Sequence, residues 1–125
     1  MLLENNFYRV LGVTASTDGS HGVFHLALLP DCDVYRGHFP GHPVCPGVFN
    51  IETIKECAMH LCRRRLAMPV VKQCRFTAVA SPAICPEVDL DITLSLLSPG
   101  TYDVSASIAD DCRVYVEFKG EMTVI

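Results

Sequence analysis

The chain has 125 residues and a formal net charge of −4 at pH 7, and half of its residues are hydrophobic. This length favours one domain over residues 1–125, and the hydrophobic content excludes global disorder. The acidic balance argues against nucleic-acid binding, because phosphate neutralisation needs a basic surface. With no long apolar run and no basic leader, we expect a protein that spans no membrane and works in the cytoplasm.

Two strands are predicted in the first 30 residues. The first begins near Phe7, a turn follows at residues 16–20, and the second runs from His21 to Leu29. Apolar residues alternate on both faces of the second strand, which predicts a strand buried on both sides.

Residues 30–47 contain four prolines and three glycines. This density excludes a helix or a regular strand and predicts a long irregular loop. A long loop inside a compact domain is usually functional.

One long helix is predicted from Val48 to about Leu66, a stretch without Pro or Gly. Its apolar residues recur at helical spacing and would form the buried face: Val48, Ile51, Ile54, Ala58, Leu61 and Cys62. Three arginines would occupy the last turn, where positive charge suits the helix dipole, and Pro69 forbids continuation.

The remaining chain predicts four strands with short turns. Its alternation is clearest from Val88 to Leu96. Two strands, one helix and four antiparallel strands give an α+β class. One helix covers one face of such a sheet, so we expect a second copy, at least a dimer.

The seven cysteines are scattered and odd in number, which favours reduced thiols used as small apolar residues. A weaker alternative is a metal site, for which the sequence offers these side chains: His38, His42, Cys45, Cys57, His60 and Cys62. The Cys-x-x-Cys spacing of structural zinc sites is absent, so no metal and no cofactor are expected.

The segment from Gly37 to Glu52 reads Gly-His-Phe-Pro-Gly-His-Pro-Val-Cys-Pro-Gly-Val-Phe-Asn-Ile-Glu. It resembles the 3-hydroxyacyl-[acyl-carrier-protein] dehydratases, whose signature is Gly-His-Phe-Pro-Gly, then Pro-Gly-Val, and a Glu fourteen residues after the His. His38 and Glu52 have this spacing.

The resemblance implies a hotdog fold, in which a curved antiparallel sheet wraps a long central helix. It implies dehydration of (3R)-3-hydroxyacyl thioesters to trans-2-enoyl thioesters, in fatty acid or related polyene or polyketide synthesis. The substrate would be bound to acyl carrier protein or coenzyme A. His38 and Glu52 of one site would come from two subunits of a homodimer, or of a trimer of dimers, with the acyl arm in a tunnel between them.

Elementary chemistry agrees with these roles. Dehydration needs a base for the C2 proton, an acid for the C3 hydroxyl and donors to the thioester oxygen. The imidazole of His38 suits the base. Glu52 must be protonated to act as the acid, and burial on the apolar helix face would favour that form.

The helix start offers the oxygen donors. Pro46-Gly47 opens the helix without a capping side chain, so the first N–H groups lack a local acceptor. The backbone N–H groups of Gly47 and Val48 are the candidate oxyanion donors.

Two further groups are candidates. Phe39, Tyr35 and Phe49 would line the tunnel or, equally well, belong to the core. Five cations would dock an acidic carrier protein, or simply form a solvated helix end: Arg63, Arg64, Arg65, Lys72 and Arg75.

One departure stands out, because Glu56 occupies a position where the resemblance would have Gln. Lying one turn from Glu52, it would help Glu52 keep its proton or mark a change of substrate or activity. Two other functions therefore stay open. One is a hotdog acyl thioesterase, against which the His-Phe-Pro-Gly loop argues. The other is a non-catalytic acyl-binding subunit.

Overall fold

A computed structural model describes residues 2–37 and 44–125. The predicted order of two strands, one long helix and four strands is confirmed. The bounds are β1 Tyr8–Ala15, β2 His21–Leu28, α1 Val34–Gly37, α2 Gly47–Cys62, β3 Leu66–Phe76, β4 Glu87–Ser98, β5 Thr101–Ala109 and β6 Val114–Val124.

The six strands form one antiparallel sheet in the order β1-β2-β4-β5-β6-β3. β1 and β2 are a hairpin, and β4, β5 and β6 form a meander. β3 pairs with β6 at one edge, and β1 forms the other edge. α2 packs against β2, β3 and β4 on the inner face. This is the α+β hotdog architecture that the resemblance implied.

The single-turn helix α1 corrects the prediction that residues 30–47 contain no helix. The Pro and Gly residues of this segment are unevenly placed, and the six residues from Asp31 to Arg36 include neither. A single helical turn therefore forms in the gap between Pro30 and Gly37.

α2 ends one turn earlier than predicted. Arg63 adopts a left-handed conformation (φ 58°) and closes the helix, and β3 begins at Leu66. The three arginines therefore follow the helix instead of forming its last turn. Pro69 lies within β3, where an edge strand with a register break between Ala67 and Val70 tolerates its missing N–H.

β2 is buried on one face only, which makes the two-sided prediction wrong. Phe24, Leu26 and Leu28 are buried, whereas the alternate residues are half-buried or exposed. On that outer face, His21 Nε2 lies 2.9 Å from Asp91 Oδ1 of β4. His25 lies between two carboxylates of the same strand, with Nδ1 2.7 Å from Asp89 and Nε2 2.6 Å from Glu87. Paired charged groups make this a solvated face.

The seven cysteines are free, as predicted. Cys45, Cys57 and Cys85 are buried, and Cys112 is exposed. Burial raises the pKa of the Cys45 thiol to about 11 and that of the Cys57 thiol to about 12. These two thiols therefore behave as apolar residues of the core.

The outer-face pairing predicts a pH-dependent contribution to stability. Hydrogen bonds that His25 donates to Asp89 and, second in size, to Glu87 raise its pKa above the ordinary value. Such a group stabilises the fold below its unfolded-state pKa, and this contribution is lost as the pH rises through the folded-state pKa. We expect His25→Gln to lower the urea midpoint at about pH 5.5 and to change it much less at about pH 9.

Asp89→Asn, which removes the stronger of the two acceptors, should also lower the urea midpoint at about pH 5.5 and change it much less at about pH 9. The effect should be small because the pair is exposed to solvent. An equal loss at both pH values would contradict the assignment.

Candidate active site

The first turn of α2 has no side-chain cap. Pro46 precedes it in an extended conformation, and its carbonyl accepts the N–H of Phe49 at 3.0 Å and that of Asn50 at 3.1 Å. The N–H groups of Gly47 and Val48 donate to no residue within the described parts of the chain. The prediction of an uncapped helix start is confirmed. Two backbone donors are therefore available here for a ligand oxygen.

Glu52 lies one turn beyond these donors, on the exposed side of the helix. Its side chain is 31% exposed, and its Oε1 is 3.5 Å from Nζ of Lys55. Val48 is 71% exposed. The expectation that Val48 and its neighbours bury Glu52 is therefore wrong within a single chain. The buried face of the helix is centred on Ile54 and Cys57. Of the predicted apolar face, Ile54 and Ala58 are buried, whereas the others are half-buried or, for Val48, exposed.

Phe76 of β3 covers one flank of the helix start. A Cβ built on Gly47 would lie 2.8 Å from Cζ of Phe76, so the absence of a side chain permits this contact. Phe76 itself is 52% exposed. Beside Gly47 there is thus a partly solvent-facing aromatic ring.

Residues 2–7, which we call the N-terminal strap, cover the opposite flank. Leu3 and Phe7 of the strap are buried, and the N–H of Leu29 donates to the Phe7 carbonyl at 2.9 Å. The Phe7 ring meets Phe49 of α2 edge to face, with centroids 5.1 Å apart. One aromatic contact therefore joins the strap to the start of the helix.

The strap is also tied to α2 by a buried carboxylate. Leu3 N–H donates to both oxygens of Glu56, at 3.0 and 2.8 Å. Glu4 N–H donates at 3.0 Å and the Tyr8 hydroxyl at 2.9 Å. Glu56 is only 2% exposed, and these four hydrogen bonds replace the water that its oxygens lose on burial. Glu56 is thus an anchor for the strap.

The two predicted aromatic lining residues within the described chain belong largely to this packing. Tyr35 is buried, 6.2 Å from Phe7 between ring centroids, and its hydroxyl is 3.4 Å from Sγ of Cys45. Phe49 is half-buried and also borders a surface groove. Tyr35 therefore belongs to the core, while a lining role for Phe49 stays a prediction.

His38 and Phe39 lie outside the described residues. The chain on either side of them is held together at Tyr35 and Cys45, ten positions apart. The N–H of Cys45 also donates to the Ala80 carbonyl at 2.8 Å. Cys45 is two residues before Gly47, so both flanks of the motif are held close to the helix start.

The five predicted docking cations do not form one compact patch. Arg63, Arg64 and Arg65 are exposed at the end of α2, whereas Arg75 lies near the far end of β3. At about 3.3 Å per residue, Arg65 and Arg75 are roughly 30 Å apart. Lys72 binds Asp103 at 3.0 Å and Glu121 at 3.5 Å. Docking therefore stays a prediction for the three consecutive arginines.

No group of three or more His, Cys, Asp or Glu side chains in residues 2–37 and 44–125 could hold a metal ion. Within the same ranges, each helix is too short or too polar to cross a membrane. His42, a member of the weighed metal alternative, lies outside those ranges.

Comparison with known families agrees with this geometry. Residues 14–117 match the family model described as ApeI-like, the ApeI dehydratase, which is most of the chain. The chain belongs to the ApeI-like dehydratase family. The resemblance to hydroxyacyl dehydratases stated from the motif is thereby confirmed at the level of the family.

One relative of this ApeI-like chain is the 3-hydroxyacyl-[acyl-carrier-protein] dehydratase FabZ of Levilactobacillus brevis. The two are 27% identical over 85 residues, covering 62% of this chain and 57% of the relative. The chain thus spans little more than half of that relative.

Two solved structures show the same fold. The dehydratase heterocomplex ApeI:P of Xenorhabdus doucetiae is 18% identical, with a TM-score of 0.72, covering 91% of this chain and 96% of that chain. A hypothetical thioesterase with coenzyme A from Streptococcus pneumoniae is 7% identical, with a TM-score of 0.66, covering 94% and 85%.

Sequence reasoning missed the strap and the role of Glu56 in this ApeI-like chain. Its partners, Leu3, Glu4 and Tyr8, are about 50 positions away, and two of them donate through the backbone. No sequence pattern marks a backbone donor. The Lys55 contact was detectable, because Glu52 and Lys55 have the helical i,i+3 spacing.

Removing the Glu56 carboxylate should destabilise this ApeI-like domain strongly. Glu56→Ala leaves buried donors of the strap without acceptors, and we expect a loss of about 3 kcal/mol in the free energy of unfolding. Glu56→Gln keeps the size but turns an amide N–H₂ toward a donor, so the loss should be smaller. Urea denaturation measures both.

Tyr8→Phe is the matched partner variant. Burial first, and then Cys57 and Glu56, raise the pKa of Tyr8 well above its ordinary value, so the hydroxyl is a donor at all working pH values. The losses of Tyr8→Phe and Glu56→Gln should be less than additive in the double variant, because the two groups share one bond. Strict additivity would contradict this contact.

Proposed function

We propose that this protein dehydrates (3R)-3-hydroxyacyl thioesters to trans-2-enoyl thioesters. The observation that carries the proposal is the pair of N–H donors at Gly47 and Val48. Gly47 lies about 7.5 Å and Val48 about 6 Å along the helix axis from Glu52, at 1.5 Å per residue. The flanks of the Gly-His-Phe-Pro-Gly segment are held beside the same helix start.

The proposed reaction assigns one step to each group. The Gly47 and Val48 N–H groups donate to the thioester oxygen, which stabilises negative charge as the C2–H bond weakens. The His38 imidazole takes the C2 proton. The Glu52 carboxyl gives its proton to the C3 hydroxyl, which leaves as water while the C2–C3 double bond forms. No cofactor is required.

The exposed side of α2 supports a site completed by a second copy. Val48, Glu52 and Lys55 lie on this side, between Phe76 and the strap. The edge strand β3 beside it exposes Val70 and Val71, by 40% and 48%. Exposed apolar residues along an unpaired edge favour association with another chain. Burial by that copy would favour the protonated form of Glu52 that the reaction needs.

We therefore propose a homodimer, or a trimer of such dimers, in which His38 of one copy faces Glu52 of the other. The similarity to the Xenorhabdus ApeI:P heterocomplex also permits a related partner chain in place of the second copy.

The proposed substrate carriers are acyl carrier protein and coenzyme A, in fatty acid or related polyene or polyketide synthesis. The FabZ relative acts on carrier-bound acyl groups, and Arg63, Arg64 and Arg65 offer positive charge to an acidic carrier. The free thiols fit a reducing compartment, and we place the protein in the cytoplasm.

A thioesterase is the second candidate, favoured by one observation. Glu52 is accessible to solvent and near Lys55, a setting that suits a charged carboxylate able to activate water. A non-catalytic acyl-binding subunit would bind the thioester and convert nothing.

Turnover of a thioester panel separates these functions. 3-Hydroxyacyl and saturated acyl thioesters, both carrier-bound and on coenzyme A, would be assayed for enoyl absorbance and for released thiol. We expect enoyl formation, with His38→Ala and Glu52→Gln each lowering kcat at least about 100-fold, the usual size of a lost acid or base. Lys55→Gln is the matched control and should keep most of the activity.

Thiol release without enoyl product would support the thioesterase instead. Full activity in both His38→Ala and Glu52→Gln would contradict the assigned chemistry.

Subunit mixing tests the shared site. His38→Ala and Glu52→Gln subunits should each be nearly inactive alone. If the two groups of one site come from different copies, a mixed dimer holds one intact site and one doubly defective site. Random exchange makes about half of the dimers mixed, so about one quarter of the wild-type activity should return. No recovery, with exchange verified by mass, would show that each site uses one chain.

A further inference from the structure

The N-terminal strap follows one stripe of α2 from its start to near its end. Phe7 contacts Phe49, the strap backbone binds Glu56, and Glu4 Oε1 is 2.7 Å from His60 Nε2. At 100° per residue, these three helix residues lie within about 40° of one another around the axis. Glu52 lies about 40° from Glu56, at the margin of this stripe. The strap therefore borders the side of α2 that carries Glu52, the proposed acid.

A groove runs between the strap and the segment that follows β2. It encloses about 730 Å³. Its apolar lining consists of Leu2, Leu3, Leu29, Pro30, Val34 and Phe49. This volume is within the range of small-molecule sites, about 300–1,000 Å³. Phe49, one of the lining residues, is only two residues after Gly47, so part of the groove lies near the proposed oxyanion donors.

The charges around the groove restrict its occupant. Asp31 and Asp33 also line it, and the groove contains no lining cation among the described residues. A free carboxylate or an acidic protein segment would be repelled. An uncharged aliphatic chain, entering from the helix start, meets no such penalty and covers the exposed part of Leu2, which is 67% accessible.

We propose that this strap groove binds the acyl chain of the thioester, and that the strap, held by Glu56, determines which chain lengths are accepted. The inference rests on the proposed function for the position of the thioester. Short acyl groups would end near Phe49, whereas longer ones would extend along Leu3 and Leu2.

Two exposed positions test the groove without disturbing the core. Leu2→Ser removes apolar lining, and Asn6→Trp places a large ring in the groove. The readout is the ratio of kcat/KM for 3-hydroxydecanoyl to that for 3-hydroxybutyryl thioester. We expect this ratio to fall about three- to tenfold in each variant, the value of one or two lost CH₂ contacts. A merely structural defect would lower kcat/KM for both substrates by the same factor and leave the ratio unchanged.

Leu97→Ser is the matched control. Leu97 is similarly exposed, by 54%, but belongs to β4 and does not line the groove. Its ratio should equal that of the wild type. Unchanged ratios in Leu2→Ser and Asn6→Trp, or an equal fall in Leu97→Ser, would overturn the strap groove.

Binding of saturated decanoyl-coenzyme A, which cannot be dehydrated, separates this inference from the proposed function. Calorimetry should give a Kd about three- to tenfold weaker in Leu2→Ser than in wild type, and unchanged in Leu97→Ser. If the wild type forms no enoyl product but the Kd values of the three proteins still follow this pattern, the dehydratase proposal fails and the strap groove stands. Equal Kd values in all three proteins would overturn the groove whatever the catalytic result.

Discussion

The buried carboxylate of Glu56 is the interaction on which the arrangement of this site depends. Moving a charged group out of water is costly unless donors replace the lost solvation. Two backbone N–H groups and the Tyr8 hydroxyl supply four hydrogen bonds to its oxygens. These four hydrogen bonds can form together only when the strap lies along α2 in one register. A single side chain thus determines where six residues of chain are placed.

This anchoring divides the surface of α2 into sides with different uses. The sheet buries the side of Ile54 and Cys57, the strap covers Phe49 and Glu56, and Glu52 stays half-buried, with 31% of its side chain exposed. A carboxyl group at the margin of a covered stripe can meet both a ligand beside the strap and a group from a second chain. The helix start, uncapped by the side chains that the structure describes, offers two N–H donors one turn before Glu52.

The strands show how far sequence patterns reach. β4 was predictable because its alternation is strict, and Val88, Leu90, Ile92 and Leu94 are indeed buried. The prediction that β2 is buried on both faces is wrong. Val23 and Ala27 on the outer face resemble core residues, but His21 and His25 on the same face pair with acidic residues of β4. Which acids lie opposite depends on strand register, and register is a property of the assembled sheet.

The sequence alone determined the α+β class, the single long helix and the uncapped start at Pro46-Gly47, because each of these follows from local spacing. The pairing of His38 with Glu52 also follows from spacing and stays a prediction. The tertiary structure alone decided that Glu56 holds a strap and that Glu52 is on an exposed side. These features depend on contacts between residues about 50 positions apart, several of them through backbone groups that every residue possesses. Only folding selects which of those identical groups meet.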